Sequence, residues 1–148
     1  MIQRIQSIWL LLAAIVILIL LFIPTVGAIS DKGEYILYAS GLKQTGAPQQ
    51  TTNIPLLAFT VLVGLISLAN IFNFRNRKLQ IRIASVNIIL ILGLSFWMSQ
   101  LVNNVDGLKE LNIEPGIFLP LLGVIFSALA IRGIKKDEKL VRSADRLR

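Results

Sequence analysis

Cysteine and histidine are both missing from this chain of 148 residues. Without cysteine there is no disulfide, no thiolate nucleophile and no thiolate metal ligand, and the redox compartment stays open. Without histidine the chain lacks the commonest metal ligand and the commonest general base. Charge is scarce too, at 16% of residues, and four long runs (7–30, 53–74, 83–105 and 115–131) contain no Lys, Arg, Asp or Glu. Proton relays, voltage sensors and acidic cation sites need ionisable groups at depth, so these empty runs speak against a pump or an ion-coupled transporter. No phosphate-binding glycine loop, no nucleophile with a partner base and no carboxylate set at metal spacing is present. Asp106, Glu110 and Glu114 read as a solvated acidic loop rather than as catalytic groups. The expectation is a protein that is not an enzyme, with no catalytic residue, cofactor or metal.

Apolar residues are what the chain has in abundance: 55% are hydrophobic and the mean hydropathy is +0.73. Each uncharged run supplies about 20 apolar residues, enough to cross a hydrocarbon layer of about 30 Å as a helix. The pattern predicts an all-α membrane protein with four transmembrane helices, short loops and a basic cytoplasmic C-terminal helix. The spans are expected at about 7–29, 54–74, 83–103 and 115–134, with a tail at 135–148. They form one domain and leave no room for a soluble one. The net charge of +7 is segregated along the chain rather than gathered on one soluble face, so no nucleic-acid partner is expected.

The segregation also sets an orientation. Of the 15 basic residues, all but Lys32, Lys43 and Lys109 lie before the first run, between the second and third, or after the fourth. The two remaining connectors carry Asp31, Glu34, Asp106, Glu110 and Glu114. Positive residues in short loops stay cytoplasmic, so both termini are expected inside. A cleaved signal peptide is the rival reading of the first run, with Arg4 before it and Val26, Gly27 and Ala28 after Pro24. Its apolar core is longer than such peptides carry, so retention is expected.

Residues 30–53 form the longest connector, and Gly33, Gly41, Gly46 and Pro48 punctuate it. The β-branched and aromatic stretch GEYILYASG within it admits a small surface hairpin, but we read it as an ordinary connector. Asn53 followed by Pro55 has the form of a helix start, and Pro115 marks the approach to the fourth span. Trp9 and Trp97 fall near span ends, where an amphipathic ring suits the headgroup zone.

Neutral polar residues remain inside the spans. Asn70 and Asn87 lie five residues either side of the basic turn, and a mutual hydrogen bond is expected to pin the hairpin. Their alternative role, with Asn73, is to line a polar pocket. Gly123 and Ser127 form a small-xxx-small motif on the fourth span that allows close helix packing, within the chain or against another subunit. Arg75, Arg77, Lys78, Arg82, Lys135, Lys136, Lys139, Arg142, Arg146 and Arg148 make a basic cytoplasmic surface. In the tail, Leu140, Val141, Ala144 and Leu147 fall on one helical face. That surface either holds topology alone, lies on anionic lipid or docks on a partner.

The opening MIQRIQ before an apolar run, the arginine-rich turn followed by Ser85-Val86-Asn87, and the ending VRSADRLR together resemble a family of small four-span bacterial inner-membrane proteins known as a domain of unknown function. The resemblance covers the whole chain. It implies four membrane helices in the bacterial inner membrane and supplies no activity, ligand or catalytic residue. The residues themselves favour a non-enzymatic accessory or structural subunit of a larger membrane protein complex, with membrane lipids as the other partner. The alternative is a small transporter or lipid-handling protein with its polar pocket near Asn70 and Asn87.

Overall fold

The computed structural model describes residues 3–46 and 52–145, with side chains at 5–46 and 52–140. Four helices carry the fold: α1 Gln3–Ile19, α2 Ile54–Ile71, α3 Arg77–Asn103 and α4 Leu119–Asp145. They pack in a ring, α1 against α2 and α4, and α3 against the same two. A short 3-10 turn, Phe72–Arg75, is the only element between α2 and α3, so these two run antiparallel as tight helical hairpins do.

Each helix buries one stripe. On α3 it is Gln80, Ala84, Asn87, Ile91, Leu94, Met98 and Val102, and on α2 it is Leu56, Thr60, Val63, Gly64, Ser67 and Asn70. Steps of three and four residues keep a stripe on one side of a helix and suit nearly antiparallel packing. Helix α1 is wedged most tightly, with Leu10, Ala13, Ala14 and Ile17 fully buried, as is Leu20 just past its end. Glycines make room for it: a Cβ at Gly64 of α2 would lie 2.7 Å from Leu18, and one at Gly123 of α4 would lie 2.9 Å from Ile17.

The remaining faces point outward and are apolar. Leu62, Leu65, Ile89, Leu92, Phe96, Leu121 and Ile125 are all exposed, while Thr60, Ser67, Asn70, Gln80, Asn87 and Ser127 are buried. This arrangement inverts that of a water-soluble bundle. Three helical segments, Ile54–Arg75, Arg77–Asn103 and Pro115–Leu140, are long and apolar enough to cross a membrane. The apolar part of α1, Ile5–Ile19, is shorter. The chain continues from it through a turn to Pro24, which cannot donate a backbone hydrogen bond, and leaves as a strand.

That strand corrects the all-α expectation. A four-stranded antiparallel sheet closes the end of the bundle opposite the α2–α3 turn, with β1 Val26–Ser30, β2 Gly33–Tyr38, β3 Gly41–Gln44 and β4 Leu108–Ile113 in the order β3-β2-β1-β4. The described part of the 30–53 connector, through residue 46, therefore carries a hairpin and is not an ordinary loop; residues 47–51 lie outside the described residues. Gly33 and Gly41 hold positive φ of 127° and 128° at its turns, a region that only glycine enters cheaply. Residues 26–29, expected within the first span, pair instead with both β2 and β4. Apolar runs this short fit a buried strand as well as a helix, and periodicity alone does not separate them.

The sheet fastens the α1–α2 connection to the α3–α4 connection. Val26 pairs with Ile113 and Ala28 with Leu111. The Gly116 N–H donates to the Pro24 carbonyl at 2.9 Å, and Glu114 N–H donates to Thr25 O. Across the first two strands, Thr25 Oγ1 donates to Leu37 O at 3.0 Å. Beneath the sheet, Ala28, Leu37 and Ala39 join Leu20, Leu56, Leu94, Met98 and Val102 in one apolar core. On α2, the Asn53 side chain accepts from Leu56 N–H with Pro55 in the first turn, which is the helix start expected from the sequence.

A Cβ at Gly116 would sit 2.3 Å from the Pro24 carbonyl oxygen, whereas one at Gly93 meets nothing within 4 Å. Gly116→Ala is therefore expected to lower stability by about 1–3 kcal/mol, while Gly93→Ala leaves it unchanged or raised. Thermal denaturation of the two variants in detergent micelles measures the difference.

A polar layer and cleft at the basic end of the bundle

At the end away from the sheet, the last buried position described on every helix is polar: Gln6 on α1, Asn70 on α2, Gln80 on α3 and Asp137 on α4. They join in two pairs. Asn70 Nδ2 donates to Gln80 O at 3.0 Å, and Gln80 Nε2 donates back to Asn70 O at 3.1 Å. Gln6 Nε2 donates to Asp137 Oδ2, tying α1 to α4. One layer deeper, Asn87 Nδ2 donates to Ser67 Oγ at 2.5 Å.

The hairpin register is thus held by amides, but not by the expected Asn70–Asn87 bond. The sequence places the turn over residues 75–82, which would bring Asn70 and Asn87 level. The structure starts α3 at Arg77, with Asn76 as its cap accepting from Leu79 N–H. An earlier turn shifts the facing partners, so Asn70 meets Gln80 and Asn87 meets Ser67. Gln6, Gln80 and Asp137 escaped the sequence reading. Gln80 lay in the assumed loop and Asp137 in the assumed tail, yet α4 runs without a break to Asp145.

The basic residues gather around this layer. Arg75, Lys78, Arg82, Lys135, Lys136 and Lys139 are exposed, and Arg77 is half-buried. Arg142 lies on the described backbone of α4 without a described side chain, and Leu147, Arg146 and Arg148 lie outside the described residues. The ion pairs are all at the other end, among the described residues: Lys32–Asp106 at 2.8 Å and Lys109–Asp31 at 2.6 Å. There the hydrogen bond and charge of Lys32 hold the Asp106 carboxyl below its usual range, and Asp106 raises Lys32 in turn.

Two cavities open among the described residues. One, of about 610 Å³, opens between the first turn of α1 and the α2–α3 turn, lined by Gln6, Ser7, Ile8, Ile71, Phe72, Phe74, Arg77 and Gln80. The other, of about 290 Å³, lies beneath the sheet against α3 and includes Thr25, Leu37, Met98 and Val102. Asn70 and Asn87 line neither, and both are almost fully buried. Gly123 and Ser127 pack within the chain: Gly123 faces Ile17 and Ile91, and Ser127 Oγ donates to Gly123 O at 2.8 Å. No three His, Cys, Asp or Glu side chains come together as a metal site among the described residues.

The Asn70 and Gln80 side chains bond to each other's backbone rather than to each other. Each alanine substitution therefore removes its own bond, at roughly 0.6–2 kcal/mol in a membrane. Asn70→Ala and Gln80→Ala are expected to add, with a coupling below about 0.5 kcal/mol. Unfolding of the single and double variants in bicelles measures that coupling.

No curated protein and no solved structure matches this chain. Residues 2–147 match the family described as a domain of unknown function, DUF4293. With nearly the full length aligned, the chain belongs to that family.

Proposed function

We propose that this protein is a four-span component of the bacterial inner membrane, with both termini cytoplasmic, acting as a non-enzymatic accessory or structural subunit of a larger membrane complex. The observation that carries the reading is the inverted bundle, with apolar side chains outward and amides and hydroxyls inward. Such a surface is at home in lipid or against other apolar helices.

The orientation follows from charge and from fold together. The sheet unites the two acid-bearing connectors at one end, and the uncompensated basic residues surround the other. Under the positive-inside rule the basic end is cytoplasmic. Although α1 is short, it is tied at both ends: Gln6 meets Asp137 of α4, and the carbonyl of Leu20, just past the helix, accepts from Ala39 N–H in the sheet. In this reading it crosses with them.

The interior supports a packing role. The amide nitrogens of Asn70 and Asn87 are spent on interhelical bonds, and neither residue lines a described cavity. Small residues along α4 are filled by α1, which leaves the broad outward faces of α2, α3 and α4 as the surface for a partner.

The chain's lack of cysteine makes both claims measurable. With single cysteines, Lys43→Cys is expected to react with an impermeant maleimide from outside spheroplasts, and Lys139→Cys only after permeabilisation. Labelling of both from one side contradicts the topology. Purification in a gentle detergent is expected to recover a larger membrane protein in stoichiometric amount; isolation only as a free monomer contradicts the subunit role.

A further inference from the structure

We infer that the cleft between the first turn of α1 and the α2–α3 turn binds one anionic phospholipid, with Arg77 as the ligand for its phosphate. The inference rests on the membrane reading above, which puts this end of the bundle in the headgroup zone of the cytoplasmic leaflet.

Size and charge agree. A volume of about 610 Å³ falls in the range of small-molecule sites, about 300–1,000 Å³. Among the described residues, Arg77 is the one charged residue lining it. It is half-buried, and no carboxylate lies within ion-pair distance of it among the described residues. A guanidinium drawn partly out of water is costly until an anion meets it, and its planar fork matches a phosphate through two parallel hydrogen bonds. No acidic side chain among the described residues lines the cleft.

The walls select a lipid over a free anion. Ile8 and Phe72 line the opening and are 51% and 78% exposed. They lead from the cleft onto the apolar outer surface of the bundle, where acyl chains would lie. The floor is set in advance. Gln6 and Gln80 reach the cleft while their amide nitrogens stay bonded to Asp137 and to Asn70 O. The exposed Arg75 and Lys78 add a positive field at the rim, which favours a net-negative headgroup over a zwitterionic one.

The test uses the full chain in nanodiscs of phosphatidylcholine with a minor fraction of phosphatidylglycerol. Native mass spectrometry after mild delipidation reads the lipid retained. The wild type is expected to keep phosphatidylglycerol in preference to phosphatidylcholine. Arg77→Gln is expected to weaken that retention about tenfold or more, as loss of a charge-assisted contact does. Ile8→Trp, which fills the cleft, is expected to do the same without lowering the melting temperature. Arg132→Gln, an exposed arginine outside the cleft, is expected to leave it unchanged.

Three results overturn the site while leaving the membrane reading intact: no preference in the wild type, equal losses in Arg77→Gln and Arg132→Gln, or displacement of the lipid by millimolar inorganic phosphate. Failure of the wild type to enter nanodiscs at all overturns the membrane reading, and the site with it.

Discussion

A polypeptide in hydrocarbon has no water to satisfy its polar groups, so each must find a partner within the chain. Three helical segments here are long and apolar enough to cross a membrane, and the chain is built as that constraint demands. The helices pair their own backbones, and the two connectors at one end pair theirs as a sheet. In that sheet β1 lies between β2 and β4, so the most apolar strand has both its edges occupied. Side-chain amide nitrogens follow the same rule, while Asn70 Oδ1, Asn87 Oδ1 and Asp137 Oδ1 stay buried without a partner among the described residues. Asn70 and Gln80 close on each other's backbone, and Asn87 closes on Ser67. Beyond the apolar core, the outward faces of α2, α3 and α4 are apolar as well.

The two ends of the bundle differ in how they are closed. At the sheet end, backbone pairing joins segments some eighty residues apart, and glycine lets the chains approach. Gly116 against Pro24 is the closest such contact. Ion pairs there are exposed and lie on the rim. At the opposite end the closure is made of side chains, one polar residue from each helix. Around it stand cations without partners among the described residues, and beside it opens the cleft. One end is thus closed by backbone pairing with exposed ion pairs, and the other by side chains amid exposed basic residues and an open cleft.

Much of the helical bundle was legible in the sequence, because lipid imposes length and charge rules that need no knowledge of contacts. Asn53 and Pro55 marked the start of α2 for purely local reasons, and the structure starts it there. The sheet was not legible. The stretch Val26–Ser30 is apolar enough to pass as the end of a span, and Leu108–Ile113 alternates too briefly to announce a strand; each makes sense only against the other. Pairing partners distant in sequence leave no periodic trace in either segment. The polar layer was half legible. Asn70 stood out within an apolar run, while Gln80 and Asp137 were hidden by misplaced helix ends. A turn set a few residues too late was enough to give Asn70 the wrong partner.

The account stands on lipid being the solvent for the outward faces of α2, α3 and α4. Spin labels on single cysteines along α3 test it most directly, by comparing collisions with oxygen and with a water-soluble nickel chelate in liposomes. Labels replacing Ile89, Leu92 and Phe96, which are 67%, 57% and 67% exposed, are predicted to collide freely with oxygen and hardly at all with the chelate. Labels replacing Ile91 and Leu94, which are fully buried, are predicted to be sheltered from both. Chelate collisions at Ile89, Leu92 and Phe96 as frequent as at an exposed loop would contradict the account.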